Sequence, residues 1–114
     1  MNVFDIDDKR FEVALELFSE GNRFNFNDVS FYINKKTKNL NVDVISKWQF
    51  QNLNEQRALE EIERGKNTCD YLIANSKKFA ELIKAYKLRF SVIEDDGKCS
   101  FEVCYWSNNK LVWK

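Results

Sequence analysis

Leu88-Arg89-Phe90-Ser91-Val92-Ile93-Glu94-Asp95-Asp96-Gly97-Lys98-Cys99-Ser100-Phe101-Glu102-Val103-Cys104-Tyr105 is two alternating runs that meet at Asp96-Gly97. Asp-Gly between two period-2 patterns is a strong signal for a two-residue type I′ hairpin, because both central residues need positive φ. That turn pairs Asp95 with Lys98 and predicts Val92 opposite Phe101, Phe90 opposite Val103 and Leu88 opposite Tyr105. A second turn at Ser107-Asn108-Asn109 pairs Trp106 with Lys110 and sets Leu111 beside Tyr105 and Trp113 beside Val103. One face of this three-stranded unit then carries Leu88, Phe90, Val92, Cys99, Phe101, Val103, Tyr105, Leu111 and Trp113, a surface that helices must cover. The other face carries Arg89, Ser91, Ile93, Ser100, Glu102, Cys104, Trp106 and Val112.

Upstream, residues 40–50 alternate as a half-buried strand through Leu40, Val42, Val44, Trp48 and Phe50. Pairing Ile33 with Leu40, Phe31 with Val42 and Val29 with Val44 puts six apolar side chains on one face and leaves Lys35–Lys38 for the turn. A one-residue slip would set Phe31 against Asp43 or Asn41, which burial forbids. Phe24 and Phe26 have the opposite parity to that set, so a β-bulge near Asn27-Asp28 is expected to bring them onto the same face.

Two stretches read as helix. Over about 7–20, Phe11, Ala14, Leu15 and Phe18 fall on one stripe; Asp7 or Asp8 can cap its start, and Gly21 can end it. Over 54–86, Leu59, Ile62, Cys69, Leu72, Ile73, Phe79, Ala80, Ile83 and Tyr86 keep helical spacing. Gly65 and Asn67-Thr68 weaken the middle, so a break is expected near 65–68, with a further candidate at 75 and a final segment over about 76–86. The fold class that follows is α+β: a single two-layer domain over 1–114, an antiparallel sheet covered on one face by helices, in the order α-β-β-α(α)-β-β-β.

Composition narrows the chemistry. The 114 residues include no histidine and no proline, three cysteines, and 18 basic against 18 acidic side chains. Without histidine the chain lacks the usual general base and the commonest metal ligand. No Gly-rich phosphate loop is present, and Glu94-Asp95-Asp96 is accounted for by its tight turn. No catalytic set, metal site or cofactor is therefore expected. No apolar run approaches the roughly 18–20 residues of a membrane helix, and the start Met1-Asn2-Val3-Phe4-Asp5 is not a secretory signal. An odd number of cysteines with no C-x-x-C pair fits a reducing, cytoplasmic setting.

The zero net charge hides alternating blocks: −4 over 1–20, +3 over 21–50, −2 over 51–70, +4 over 71–90 and −1 over 91–114. Such blocks can simply solvate helix faces, or they can steer docking to a charged protein. The densest acidic run is Glu60, Glu61 and Glu63; Asp5, Asp7 and Asp8 form the second. Arg89 and Trp106, on the face away from the helices, are of the residue types that most often anchor a partner, and Trp106 beside Lys87 suggests a cation–π contact. A basic region over 77–90 is the one candidate for nucleic acid, diluted by acidic neighbours.

In size, cytosolic character, α+β layering, absence of catalytic groups and segregated charge, the whole chain resembles bacterial toxin-immunity proteins of the contact-dependent growth-inhibition type. Glu60, Glu61, Glu63, Asp5, Asp7, Asp8 and Trp106 carry that likeness. The resemblance implies a non-enzymatic protein that binds and blocks a cognate toxin domain, often a nuclease. A phage-encoded inhibitor of host defence would share these features, and a regulatory or nucleic-acid-associated domain is the other reading.

Overall fold

In a computed structural model, which describes residues 6–114 with the exception of the Phe50 side chain, the chain is a six-stranded sheet with helices packed on one face. The order is α1 (Lys9–Ser19), β1 (Phe24–Phe26), β2 (Val29–Asn34), β3 (Asn39–Ile45), α2 (Glu55–Asn75), α3 (Lys77–Ile83), β4 (Lys87–Asp95), β5 (Ser100–Ser107) and β6 (Lys110–Trp113). The strands lie in sequence order across the sheet. Four of the five pairings are antiparallel, as expected; β3 and β4 run parallel. The mixed sheet follows from the α2–α3 crossover, since a parallel pair cannot be joined by a tight turn.

Local chemistry sets the ends of these elements. Asp8 caps α1 by accepting from the Arg10 N–H at 2.9 Å, and Gly21, at φ +101°, lets the chain turn out of the helix. Asn54 caps α2 by accepting from the Arg57 N–H at 2.9 Å. Ser76 ends α2 and caps α3, accepting from the Phe79 N–H at 3.1 Å. The break therefore falls at Ser76, and α2 runs through 65–68 without interruption.

Gly65 has a packing role instead. A Cβ built on it would collide with Cγ2 of Val44, so its bare backbone lets α2 lie close against β3. The buried side of α2 is Ala58, Glu61, Ile62, Gly65, Thr68, Cys69 and Leu72; Leu59 and Ile73, expected on that stripe, are exposed. Each stands one step, about 100°, round the helix from a buried neighbour, Ala58 or Leu72.

The β2–β3 register is the expected one, with Ile33 opposite Leu40, Phe31 opposite Val42 and Val29 opposite Val44. Phe24 and Phe26 do join that face, by a different device. Asn27 and Asp28 both have positive φ, 49° and 59°, so the chain reverses there in a two-residue turn and Phe24 pairs with Phe31. Directly paired residues share a face, which does the work expected of a bulge. Strand β3 stops at Ile45, so Trp48 is outside it and lies under the Arg57 guanidinium, 3.9 Å from the ring centroid.

The β4–β6 unit departs from expectation twice. Asp95 pairs with Ser100, leaving Gly97-Lys98 as the loop centre; Gly97 alone there has positive φ, at +87°. Between Val92 and Ile93 the register then shifts, because Ile93 faces Glu102 while Val92 faces Cys104. Val103 is the extra residue of a β-bulge. Beyond it, Cys104 and Trp106 turn to the helices and Tyr105 turns away, the reverse of the expected faces. The last turn is Asn108-Asn109, both at positive φ, so Leu111 pairs with Trp106 and Trp113 with Cys104. Leu88, Cys99, Phe101 and Trp113, expected in the core, are exposed.

Two clusters make the core. One joins α1, β1–β3, α2 and α3 through Phe11, Leu15, Phe18, Phe24, Phe31, Leu72 and Phe79; the other joins α2 to β4 and β5 through Ala58, Ile62, Val92, Val103 and Cys104. Phe90 packs against both. Among the described residues no helix is long and apolar enough to cross a membrane.

Candidate functional site

The acidic run of α2 is divided by the helix period. Glu61 points at the sheet and is only 4% exposed; its expected place on the surface is corrected by the 100° step per residue, which separates it from Glu60 and Glu63. Arg64 turns under the helix with it. The Arg64 guanidinium donates to Glu61 Oε2 at 2.8 Å, to the Ile45 carbonyl at 2.7 Å and to the Asn27 carbonyl at 3.1 Å. A buried carboxylate thus balances the one cation inside this run, and both are spent on holding α2 to the sheet.

Glu60 and Glu63 stay outside, and among the described residues neither has an ion-pair partner. Two hollows adjoin along this face. The larger, about 650 Å³, is lined by Asn54, Glu55, Gln56, Leu59, Glu60 and Glu63. The second, about 420 Å³, shares Glu60 and Glu63 and adds Asn27, Arg64, Asn67, Thr68 and Tyr71. Leu59 is 37% exposed and Tyr71 47%. The Tyr71 ring is braced from behind by Phe26, stacked at 6.1 Å and 21°. This face therefore combines two carboxylates without ion-pair partners among the described residues with an exposed leucine and an exposed tyrosine.

Other expected site residues are placed differently. Asp8 is committed to the α1 cap and to the Arg10 guanidinium at 2.7 Å, and these bonds hold its carboxyl below the usual range. Asp7 is exposed just before α1, and Asp5 lies outside the described residues. Phe11 contacts Phe26, which stacks on Tyr71, so the start of α1 and the outer face of α2 meet across β1. Trp106 is turned to the helix side by the Val103 bulge; Lys66, not Lys87, lies over its ring at 4.4 Å. Of the basic residues over 77–90, Lys78, Lys84 and Arg89 have acidic partners in Glu16, Glu81 and Glu102.

Arg89 is on the helix-free face of the sheet, as expected, within a polar network that the sequence reading did not assemble. It donates to both oxygens of Glu102, at 2.8 and 3.0 Å, and lies over the Tyr105 ring at 4.5 Å. Lys114 reaches the same carboxylate at 3.0 Å. The Arg89 hydrogen bonds, with Lys114 adding to them, hold the Glu102 carboxyl below its ordinary range despite partial burial. Nearby, the buried Asp43 accepts from Arg23 at 3.0 Å and from the Ser91 hydroxyl at 2.6 Å; Arg23 also donates to Ser30. The signal for this network was present in Ser30, Asp43 and Ser91, polar residues at alternate positions that β2–β3–β4 pairing sets in one row.

The two buried thiols offer little reactivity. Burial pushes both Cys69 and Cys104 up to about 11, which leaves them as neutral thiols near pH 7. Among the described residues there is no group of three or more His, Cys, Asp or Glu side chains able to hold a metal ion. The class defined so far is an α+β domain with helices on one sheet face and a carboxylate-bearing outer helix. The chain matches no family model, no curated protein and no solved structure.

Proposed function

We propose that this chain is a protein-binding inhibitor that docks a basic partner surface on the outer face of α2. The observation that carries this reading is the face itself: Glu60 and Glu63 without ion-pair partners among the described residues, beside exposed Leu59 and Tyr71, with Arg64 at the edge of the second hollow tied to Glu61. Charged rims steer association while apolar side chains at the centre supply affinity. The more specific form is a cytoplasmic immunity protein that neutralises a cognate toxin domain. A nuclease toxin fits because an enzyme that binds phosphate backbones must present a basic surface, and an acidic helix face would cover it.

Pull-down from the native host, followed by association kinetics with the protein recovered, tests this. Wild-type chain should capture a specific partner, and Glu60→Lys with Glu63→Lys should slow association about 10-fold or more at low salt, with the difference shrinking as salt rises. Capture of no specific partner, or association unchanged by the double reversal, would defeat it. Co-expression with the toxin-like C-terminal domain of a neighbouring reading frame tests the immunity form, by whether cells survive.

A further inference from the structure

The sheet is wider than its helical cover. Strands about 4.8 Å apart make six strands a layer about 24 Å across, and helices about 8–10 Å apart would cover it three abreast. Among the described residues, α1 packs on β1 and β2, and α2 packs on β3 and β4. The short α3 sits on the α1 side, where Phe79 meets Phe18 and Phe31. No described helix lies over β5 and β6. The side chains that β5 and β6 turn to the helix side are nevertheless apolar. Trp106 and Leu111 are directly paired and half-buried, and Trp113 pairs with the buried Cys104 yet is itself 42% exposed. Leu88, paired with the buried Leu40, continues this face onto β4 and is also exposed.

Lys66 shows which flank of α2 borders this floor. Its ammonium lies 4.4 Å from the Trp106 ring centroid and 5.9 Å from that of Phe90. Ile73, two helical turns further on and therefore on the same flank, is exposed. The flank of α2 and the floor of β5 and β6 thus bound a groove about one helix wide, aromatic at its base. Its one inward cation is Lys66, half-buried. Among the described residues Lys66 has no ion-pair partner, although Glu63 and Asp70 stand one turn away on either side. A carboxylate entering the groove would meet that charge; a second cation would be repelled.

We infer that this groove seats an amphipathic helix of a partner protein, apolar toward Trp106 and Trp113 and acidic where it passes Lys66. Such a helix completes the two-layer packing that β5 and β6 lack, and buried tryptophans supply its anchors. The groove is a second surface, separate from the one proposed above: Glu60 and Tyr71 stand about 120–140° round α2 from Lys66.

The test is NMR titration of the whole chain with a 16-residue helix-forming peptide that carries leucine on one stripe and glutamate beside it. The same peptide with lysine for glutamate is the control. The acidic peptide should shift the indole N–H signals of Trp106 and Trp113 and leave that of Trp48, with a dissociation constant on the order of 10 μM; the lysine peptide should bind at least about 10-fold more weakly. Trp113→Ser should weaken the acidic peptide about 10-fold. Lys66→Glu should reverse the preference between the two peptides, which loss of structure could not do. Glu60→Gln should change binding by less than about 2-fold. Indole signals unmoved by either peptide, equal binding of both, or a preference unchanged by Lys66→Glu would overturn the groove. A concentration-dependent dimer of the free chain that Trp113→Ser abolishes would overturn the partner helix in favour of a second copy. Acidic-peptide binding in a chain whose partner ignores Glu60 and Glu63 would uphold the groove and defeat docking on the outer face of α2.

Discussion

Strands β1–β3 and strands β4–β6 are two three-stranded halves of one sheet, built from similar alternating sequences, and they treat their registers differently. In the first half every pairing is straight, and Phe24, Phe31, Val29, Val42, Val44 and Leu40 are all essentially inaccessible. In the second half a bulge at Val103 exchanges the faces of Cys104, Tyr105 and Trp106, and the strand ends carry exposed Leu88, Phe101 and Trp113. A straight register is enforced where each alternate side chain must be buried. Where the strands run past the helices, a residue can slip to the other face at little cost, and side-chain bonding such as that among Arg89, Glu102 and Tyr105 can decide the matter.

The largest expected effect separates two phenylalanines that share the same alternation. Phe31→Ala should cost about 3–5 kcal/mol of unfolding free energy, as for a fully buried ring, whereas Phe101→Ala should change it by less than about 0.5 kcal/mol. Urea unfolding measures both; equal losses would erase the contrast between the halves. At the seam, Gly65→Ala should destabilise by about 2 kcal/mol, because the added methyl drives α2 off Val44; a stabilised variant, as helix propensity alone would give, would show that α2 does not sit close on β3.

The bulge itself can be probed by thiol labelling of the native chain. Cys99 should react quickly, and Cys104 and Cys69 slowly, since Cys104 is turned inward and both buried thiols have raised pKa values. Labelling of Cys104 as fast as Cys99 would restore the unbulged register. The smallest effect concerns acid. Because Arg89 and Lys114 hold the Glu102 pKa below its ordinary value, the stabilisation is present above the usual carboxylate range. It is lost as the pH falls through the depressed folded pKa. Wild type should therefore exceed Glu102→Gln in stability at neutral pH, and the gap should close as the pH falls below the usual carboxylate range. A gap independent of pH would remove the Arg89–Glu102 pair from the second half's account.

Much of this was legible one element at a time. The α1 stripe follows from its period, and the β2–β3 register from burial, because a slipped register would set Asp43 or Asn41 among apolar groups; the α1 cap was legible as Asp7 or Asp8, and the packed chain uses Asp8. The site was legible in part. Glu60 and Glu63 were found as charges, but Glu61 was counted with them, because a run of carboxylates does not say which of its members faces a sheet. The exposure of Leu59 and Tyr71 could not be read from their spacing, since Leu59 continues an apolar stripe as well as Ile62 does. Trp106 was misplaced because bulges leave no mark in an alternating pattern: the register slips at a position where Glu102, Val103 and Cys104 look no different from their neighbours.

The sequence by itself determined the α+β class, the element types and the straight register of the β2–β3 hairpin, because periodicity and local turn chemistry act over a few residues. The tertiary structure alone decided that β3 and β4 run parallel, that Gly65 brings α2 close to β3 rather than breaking the helix, and that Glu61 and Arg64 are spent inside while Glu60, Glu63 and Tyr71 remain outside. Those outcomes depend on which surfaces meet across more than forty residues of chain in the case of β3 and β4, and burial against a particular neighbour is a property of the packed molecule.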